Sequence, residues 1–284
     1  MPAFGDECVA GLMRLLGDLA SVGIVNGTNA CYMNAALQLL YAMATVRAEV
    51  QANPRTALTR VLRDIFNELG GSETVPGLVA SGRYRTIDRA MGTSSTAAGS
   101  MGCSDEVLTH LLEALRPTYG GSYSVTKTAY STCDGSTAVI HRLTVPYLQN
   151  LLPGTEATTV QELVDNAALP VEAEYEGCTT YTKYERITVD STSRYVVLGL
   201  NRDKGDAVRV GCARLALATD TGGVAEYTLT GAVLYDKIRT HYVFVRTTVV
   251  GGKVRVSRVY DDAAVTDSTG LDVERTARAF LFTR

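Results

Sequence analysis

The chain has 284 residues, with 27 Lys and Arg against 30 Asp and Glu, a formal net charge of -3. Hydrophobic residues make up 46% and charged residues 20%, a globular composition that excludes a disordered or fibrous chain. The near-neutral balance argues against nucleic-acid binding, which usually shows a basic excess. No apolar run approaches the ~20 residues that span a membrane, and Met1 to Gly23 lacks the basic start of a signal peptide. The six cysteines are scattered without a C-x-x-C pair, so reduced thiols are expected rather than a disulfide scaffold.

In chain order, residues 7–20 place Val9, Leu12, Leu15, Leu16 and Leu19 on one helical side. The spacing predicts a second helix over 31–47. There Met33, Ala36, Leu37, Leu40, Tyr41 and Ala44 follow the 3.6 period, and Ala35, Leu39, Met43 and Val46 add a second apolar face. A helix apolar nearly all round is a buried one. Further helices are predicted over about 56–69 and 105–116, with Met91 to Ser104 a loop rich in Gly, Ser, Thr and Ala. After Pro117 the pattern turns to strands: Val139 to Leu148, Glu185 to Leu200, then Glu226–Tyr235, Arg239–Val250, Lys253–Tyr260 and Ala279–Thr283. Thr158 to Asn166 is a short helix candidate. Helices first and strands after indicate an α+β fold of a single unit with lobes.

Cys31 begins the apolar helix, behind a loop of Gly, Asn and Thr residues. A helix N-terminus offers unpaired N–H groups and a partial positive charge, which should lower the thiol pKa and raise its nucleophilicity. The preceding loop can surround the sulfur with donors, as an oxyanion hole requires. From residue type alone the competing reading, a small buried packing residue, is the commoner fate of an isolated cysteine. Of the three histidines, His110 and His141 read as structural. His241 begins the strand Tyr242-Val243-Phe244-Val245, which runs to a hairpin at Gly251-Gly252. Ideal register, with Val250 facing Lys253, sets His241 opposite Asp262; one bulge exchanges Asp262 for Asp261. A His backed by a carboxylate is the orienting half of a nucleophile-base-acid site. A surface turn with two solvated Asp is the equal alternative.

These residues together resemble the ubiquitin-specific proteases, papain-like cysteine deubiquitinases. Gly23-Ile24-Val25-Asn26-Gly27-Thr28-Asn29-Ala30-Cys31-Tyr32-Met33-Asn34-Ala35-Ala36-Leu37-Gln38 is similar to their cysteine box, G-L-x-N-x-G-N-T-C-Y-M-N-S-x-L-Q. Ala232-Val233, Thr240-His241-Tyr242 and Tyr260-Asp261-Asp262-Ala263-Ala264-Val265 are similar to the histidine box, and Tyr195 to Arg202 to an L-x-x-x-L-x-R strand.

The resemblance implies a papain-like fold with a helical thumb over about 1–120, β fingers over about 121–190 and an antiparallel β palm over about 190–284. It implies Cys31 as nucleophile, His241 as general base, Asp261 as its orienting carboxylate and Asn26 as oxyanion donor. Asn29, Tyr242 and Glu106 are the implied substrate contacts. Glu106 would meet the basic tail of the modifier, although a carboxylate in a first helical turn is already stabilised by the helix. Asn29 reads equally well as a helix cap. The implied partner is ubiquitin or a ubiquitin-like modifier and its conjugates, handled by a monomer in the cytoplasm or nucleus, or in a host cell if the source is a virus or microbe.

Departures mark a divergent member. Gly102-Cys103-Ser104-Asp105-Glu106-Val107-Leu108 stands where the family has Q-D-A-x-E-F-L, and Thr28 and Thr240 replace glycines. The zinc knuckles of many members are reduced to one cysteine each, Cys133 and Cys178, so neither metal nor cofactor is expected. A catalytically weak ubiquitin-binding scaffold and a papain-like protease acting on ordinary polypeptides are the competing functions.

Overall fold

The computed structural model describes residues 22–27, 29–91, 102–115, 123–131, 139–145, 148–151, 158–167, 171–175, 178–200, 202, 209–267 and 270–284. The helix expected over 7–20, most of the loop expected over 91–104, Thr28 and Cys133 lie outside these residues.

The helices come first: α1 (Cys31–Tyr41), α2 (Ala44–Ala52), α3 (Ala57–Leu69), α4 (Arg83–Met91) and α5 (Ser104–Ala114). Strands β1 (Tyr123–Ser131), β2 (Val139–Val145), β3 (Leu148–Leu151) and β4 (Thr158–Thr159) lead into α6 (Val160–Ala167). Then follow β5 (Val171–Tyr175), β6 (Cys178–Val189), β7 (Tyr195–Leu200), β8 (Val210–Gly211), β9 (Arg214–Thr219), β10 (Val224–Asp236), β11 (His241–Val250), β12 (Lys253–Asp261) and β13 (Ala264–Thr266). The chain closes on α7 (Val273–Thr276) and β14 (Ala277–Thr283). This is the α+β fold the sequence indicates.

Twelve strands share one sheet, whose main path runs β13-β12-β11-β10-β9-β6-β1-β2, with β14 joining β10 to β7 and β3 beyond. The pairing is mixed, since β6 runs parallel to β9 and β3 parallel to β7. Its centre is buried on both faces. Tyr195, Val197, Tyr242, Phe244, Ala279 and Leu281 pack toward the helices. Their neighbours Val196, Leu198, Val243, Val245, Phe280 and Phe282 pack on the opposite side with α6. Strands covered on both faces read as continuous apolar runs rather than alternations, as Tyr195–Leu200 does.

All eleven residues of α1 are buried, as its two apolar faces require. The helix expected over 31–47 is broken, however, into α1 and α2. Met43 is extended, with φ -92° and ψ 99°, and the N–H of Ala44 donates to the Tyr195 hydroxyl at 2.9 Å. A tertiary cap from a distant strand thus starts a new helix where the local sequence holds no breaker. In α3 the cap is local: Thr56 and Thr59 form a reciprocal capping box. The strand expected over 185–200 turns at Asp190, whose side chain accepts from the Thr192 N–H at 2.7 Å.

The approach of the chain ahead of α1 to the turn after β12 is close. The Ile24 N–H donates to the Asp262 carbonyl at 2.9 Å. A Cβ on Gly23 would lie 1.9 Å from that same carbonyl oxygen, so only glycine fits. Gly23→Ala is expected to destabilise the protein by about 1–3 kcal/mol through overpacking. A thermal melt checks this as a fall of several degrees in Tm; an unchanged Tm would show that the turn yields.

Candidate active site

Cys31 is the first residue of α1 and 3% exposed. Its sulfur meets the backbone N–H of Tyr242, and those of Tyr32 and Cys31 itself also favour the thiolate. Tyr242 directly follows His241, the first residue of β11. The sequence expectation of a lowered thiol pKa is nonetheless reversed. Burial pushes the Cys31 thiol above its ordinary value, and the nearby Asp262 carboxylate pushes the same way. Desolvation of a charged sulfur outweighs the N–H groups at the helix start.

The histidine is held from the other side. His241 Nε2 lies 2.5 Å from Asp261 Oδ1 and 3.5 Å from Asp262 Oδ2. The hairpin explains the order. Val250 pairs with Lys253 and Thr247 with Val256, but Arg246 pairs with Arg258, leaving Ser257 as an extra residue. This bulge shifts the register by one and carries Asp261 to the face of β12 shared with His241. Asp262 begins the following turn at φ 51°. Both carboxylate contacts are made by the same ring nitrogen, Nε2.

Asp262 is not idle. It accepts from Asn34 Nδ2 at 2.9 Å and from the Asn26 side chain. Burial nevertheless pushes its carboxyl pKa up. Asn26 Oδ1 is occupied by the Ala30 N–H at 2.8 Å, so the Asn26 amide nitrogen is the group turned to Asp262. Asn34 and Asp262 therefore form a chain of contacts that aims Asn26. Asn34 lies one turn after Cys31 on α1 and is buried; in the sequence it stands within the stretch similar to the cysteine box.

The remaining expected residues separate. Asn29 is exposed and left-handed at φ 48°, and the N-cap residue of α1 is the following Ala30. Tyr242 is buried, its ring 4.6 Å from that of Tyr235 and its hydroxyl 4.0 Å from Cys103 Sγ. The stretch around Cys103 is thus brought to the site, although burial, with Asp105 beside it, pushes the Cys103 thiol up rather than activating it. Glu106 is exposed in the first turn of α5. Cys178 opens β6.

Among the described residues, His241, Asp261 and Asp262 form the one group with three possible metal-ligand atoms, within 4.8 Å of one another. Within the group His241 Nε2 is hydrogen-bonded to Asp261 Oδ1, while Asp262 accepts from Asn34. Three non-glycine residues among those described have positive φ: Asn29, Thr240 and Asp262. Each lies within two residues of Cys31, His241 or Asp261. For Thr240, β-branched at φ 53°, this conformation is a true outlier.

A family model described as ubiquitin carboxyl-terminal hydrolase matches residues 22–202. No curated protein matches the sequence significantly. Among solved structures, the SAGA DUB module of Ubp8, Sgf11, Sus1 and Sgf73 bound to monoubiquitin is similar with a TM-score of 0.65. The match has 13% identity and covers 100% of this chain and 75% of that one. At such identity the likeness is one of fold.

The electrostatics give a direct expectation. Alkylation of Cys31 by iodoacetamide should show a pH midpoint above the ~8.5 of an ordinary cysteine. Asp262→Asn removes a negative charge that disfavours the thiolate, so the midpoint should move down. Peptide mapping by mass spectrometry separates Cys31 from Cys103 and Cys212. A midpoint below the ordinary range would show a preformed thiolate instead.

Proposed function

The chain belongs to the ubiquitin carboxyl-terminal hydrolase family, and we propose that it is a thiol-dependent deubiquitinase. It would cut the peptide or isopeptide bond after the C-terminal Gly of ubiquitin or a ubiquitin-like modifier. The observation that carries this reading is the clamp on His241: Nε2 on Asp261 at 2.5 Å, with the adjacent Tyr242 N–H at the Cys31 sulfur.

The proposed chemistry starts from a thiol that burial disfavours as a free anion. His241 Nδ1 takes the Cys31 proton as the sulfur bonds to the terminal Gly carbonyl carbon. Asp261 stabilises the imidazolium. The carbonyl oxygen becomes an oxyanion, met by Asn26 and by the N–H groups at the start of α1. Collapse breaks the C–N bond, and the imidazolium gives its proton to the departing amine. Water, deprotonated by His241, then attacks the thioester and frees Cys31. The thumb, fingers and palm divide the labour in this reading: α1 to α5 supply the nucleophile, β10 to β12 the base, and the strands between about 121 and 190 a grip on the modifier. Neither a metal nor a cofactor takes part. Such a monomer would work where modifier conjugates and reduced thiols coexist, in the cytoplasm or nucleus.

A second reading has one observation behind it. With 3% exposure and a thiol pKa pushed up by burial, Cys31 suits a scaffold that binds the modifier and turns it over slowly.

Ubiquitin bearing a C-terminal propargylamide should label the protein covalently, and Cys31→Ala should abolish labelling without loss of fold. Retained labelling in that variant would remove Cys31 as nucleophile, and no labelling of the wild type would favour the scaffold. Asp261→Asn should lower kcat by about 10²–10⁴-fold by losing the tautomer and the counter-charge. The same change at Asp262 should cost less, and a larger loss there would transfer the orienting role to Asp262.

A further inference from the structure

Three strand ends meet around His241. Asp236 closes β10 and pairs with His241 across the hairpin. Asp261 closes β12 and pairs with Ala264 of β13. The turn from β10 to β11 brings Arg239 to both carboxylates. Arg239 Nε donates to Asp236 Oδ2 at 2.6 Å, and Arg239 Nη1 lies 3.9 Å from Asp261 Oδ2. The other oxygen of Asp261, Oδ1, is the one on His241 Nε2. One guanidinium thus links the carboxylate that ends the preceding strand to the carboxylate that engages the histidine.

The guanidinium is itself held. Asp236 Oδ1 accepts the N–H groups of Ile238 at 3.0 Å and Arg239 at 3.2 Å, so one carboxylate caps the turn and grips its arginine. With Nε fixed, the planar fork keeps few orientations, and its far end faces Asp261. The turn has need of a cap, because its last residue, Thr240, is left-handed at φ 53° and leads directly into His241. Asp261 has equal need of a second hold. It is the nearer to Nε2 of the two carboxylates and the more exposed, 37% against 15% for Asp262. An aspartate carboxyl turns readily about its last torsion. Asp262 is restrained by the amides of Asn34 and Asn26, and for Asp261 the corresponding restraint comes from the arginine.

We propose that Arg239 is a positioning residue for the reaction, gripped by Asp236 so that its charge keeps the Asp261 carboxylate turned toward His241. This rests on the reading of His241 as base and Asp261 as its orienting carboxylate. At 3.9 Å the contact acts through charge rather than through a hydrogen bond. Both partners are partly exposed, 59% and 37%, so the effect is modest and depends on the network rather than on the single pair.

The test uses the full chain with ¹⁵N-labelled histidine, read by NMR without substrate. A ring proton shared with a carboxylate resonates downfield, and the signal lost in Asp261→Asn belongs to the His241 pair. Arg239→Gln and Asp236→Asn should each broaden or shift that signal, and Arg239→Lys, which keeps the charge, should retain it in part. Arg255→Gln removes the same charge from an exposed site on the strand that carries Asp261 and should leave the signal unchanged. Arg239 is exposed, so Arg239→Gln should keep the wild-type Tm and decides the matter if Asp236→Asn loosens the turn. On ubiquitin-aminomethylcoumarin, Arg239→Gln should lower kcat about two- to fivefold with KM unchanged. The double variant should be no worse than its worse single member, since both act on one contact. A wild type without a signal that depends on Asp261 overturns the proposal. So does a signal indifferent to Arg239→Gln, whatever the rates do, or one disturbed equally by Arg255→Gln. In an active enzyme, a raised KM with unchanged kcat would assign Arg239 to substrate binding and overturn it as well. A chain that cleaves no substrate would sink the deubiquitinase reading while the NMR signal still tests the link from Arg239 to Asp261.

Discussion

The hydrogen bond from the Ile24 N–H to the Asp262 carbonyl, 2.9 Å long, joins the two ends of the site. The cysteine is delivered by a helix near the start of the chain and the histidine by a hairpin near its end. Neither element specifies the other locally, and about 200 intervening residues must be ordered before they meet. The bond sets the loop ahead of α1 directly against the turn after β12. Asn34 adds a second tie, donating to the Asp262 carboxylate at 2.9 Å and the Ile24 carbonyl at 3.3 Å. Sulfur, imidazole and both carboxylates are then fixed relative to one seam. The absence of a side chain at Gly23 is what lets that seam close.

Rigidity behind the seam comes from burial. α1 is enclosed on all sides, and the sheet that carries β11 is covered on both faces. Such packing can hold backbone that would relax if exposed. The three left-handed non-glycine residues, Asn29, Thr240 and Asp262, each cost on the order of 1–3 kcal/mol, and each flanks a reacting group. Thr240 is the sharpest case, since glycine would adopt φ 53° freely while a β-branched side chain is opposed by its own Cβ substituents. The threonine persists because β10 and β11 fix both ends of the turn.

The sequence carried the parts of this fold that are local or chemically ordered. The apolar run of α1, the Thr-capped α3 and the four C-terminal strands could be read from periodicity, and the cysteine and histidine boxes from their order. What escaped was set at a distance. The break between α1 and α2 is made by the hydroxyl of Tyr195, which no window around Met43 contains. The helix α4 buries little beyond Tyr84 and Ile87 and so shows a weak apolar stripe among arginines. Strands β1, β5 and β9 set polar or small residues between their larger apolar ones and so lack the apolar runs that marked the central strands. The choice between Asp261 and Asp262 turned on one extra residue, Ser257, within β12; ideal register points to Asp262 and cannot foresee the bulge. The thiol was misjudged for a related reason, because helix position is visible in a sequence and burial of the sulfur is not.

That burial changes what the histidine must do. A thiol already ionised at rest needs only an acid for the leaving group. A thiol held neutral needs a base as it attacks, with a lone pair on the nitrogen that faces it. In the proposed mechanism Asp261 would supply this by engaging Nε2, while Asp262, buried and bonded to the amides of Asn34 and Asn26, holds the neighbouring loop in place. Arg239 stands at the border of this arrangement, bound to Asp236 and 3.9 Å from Asp261.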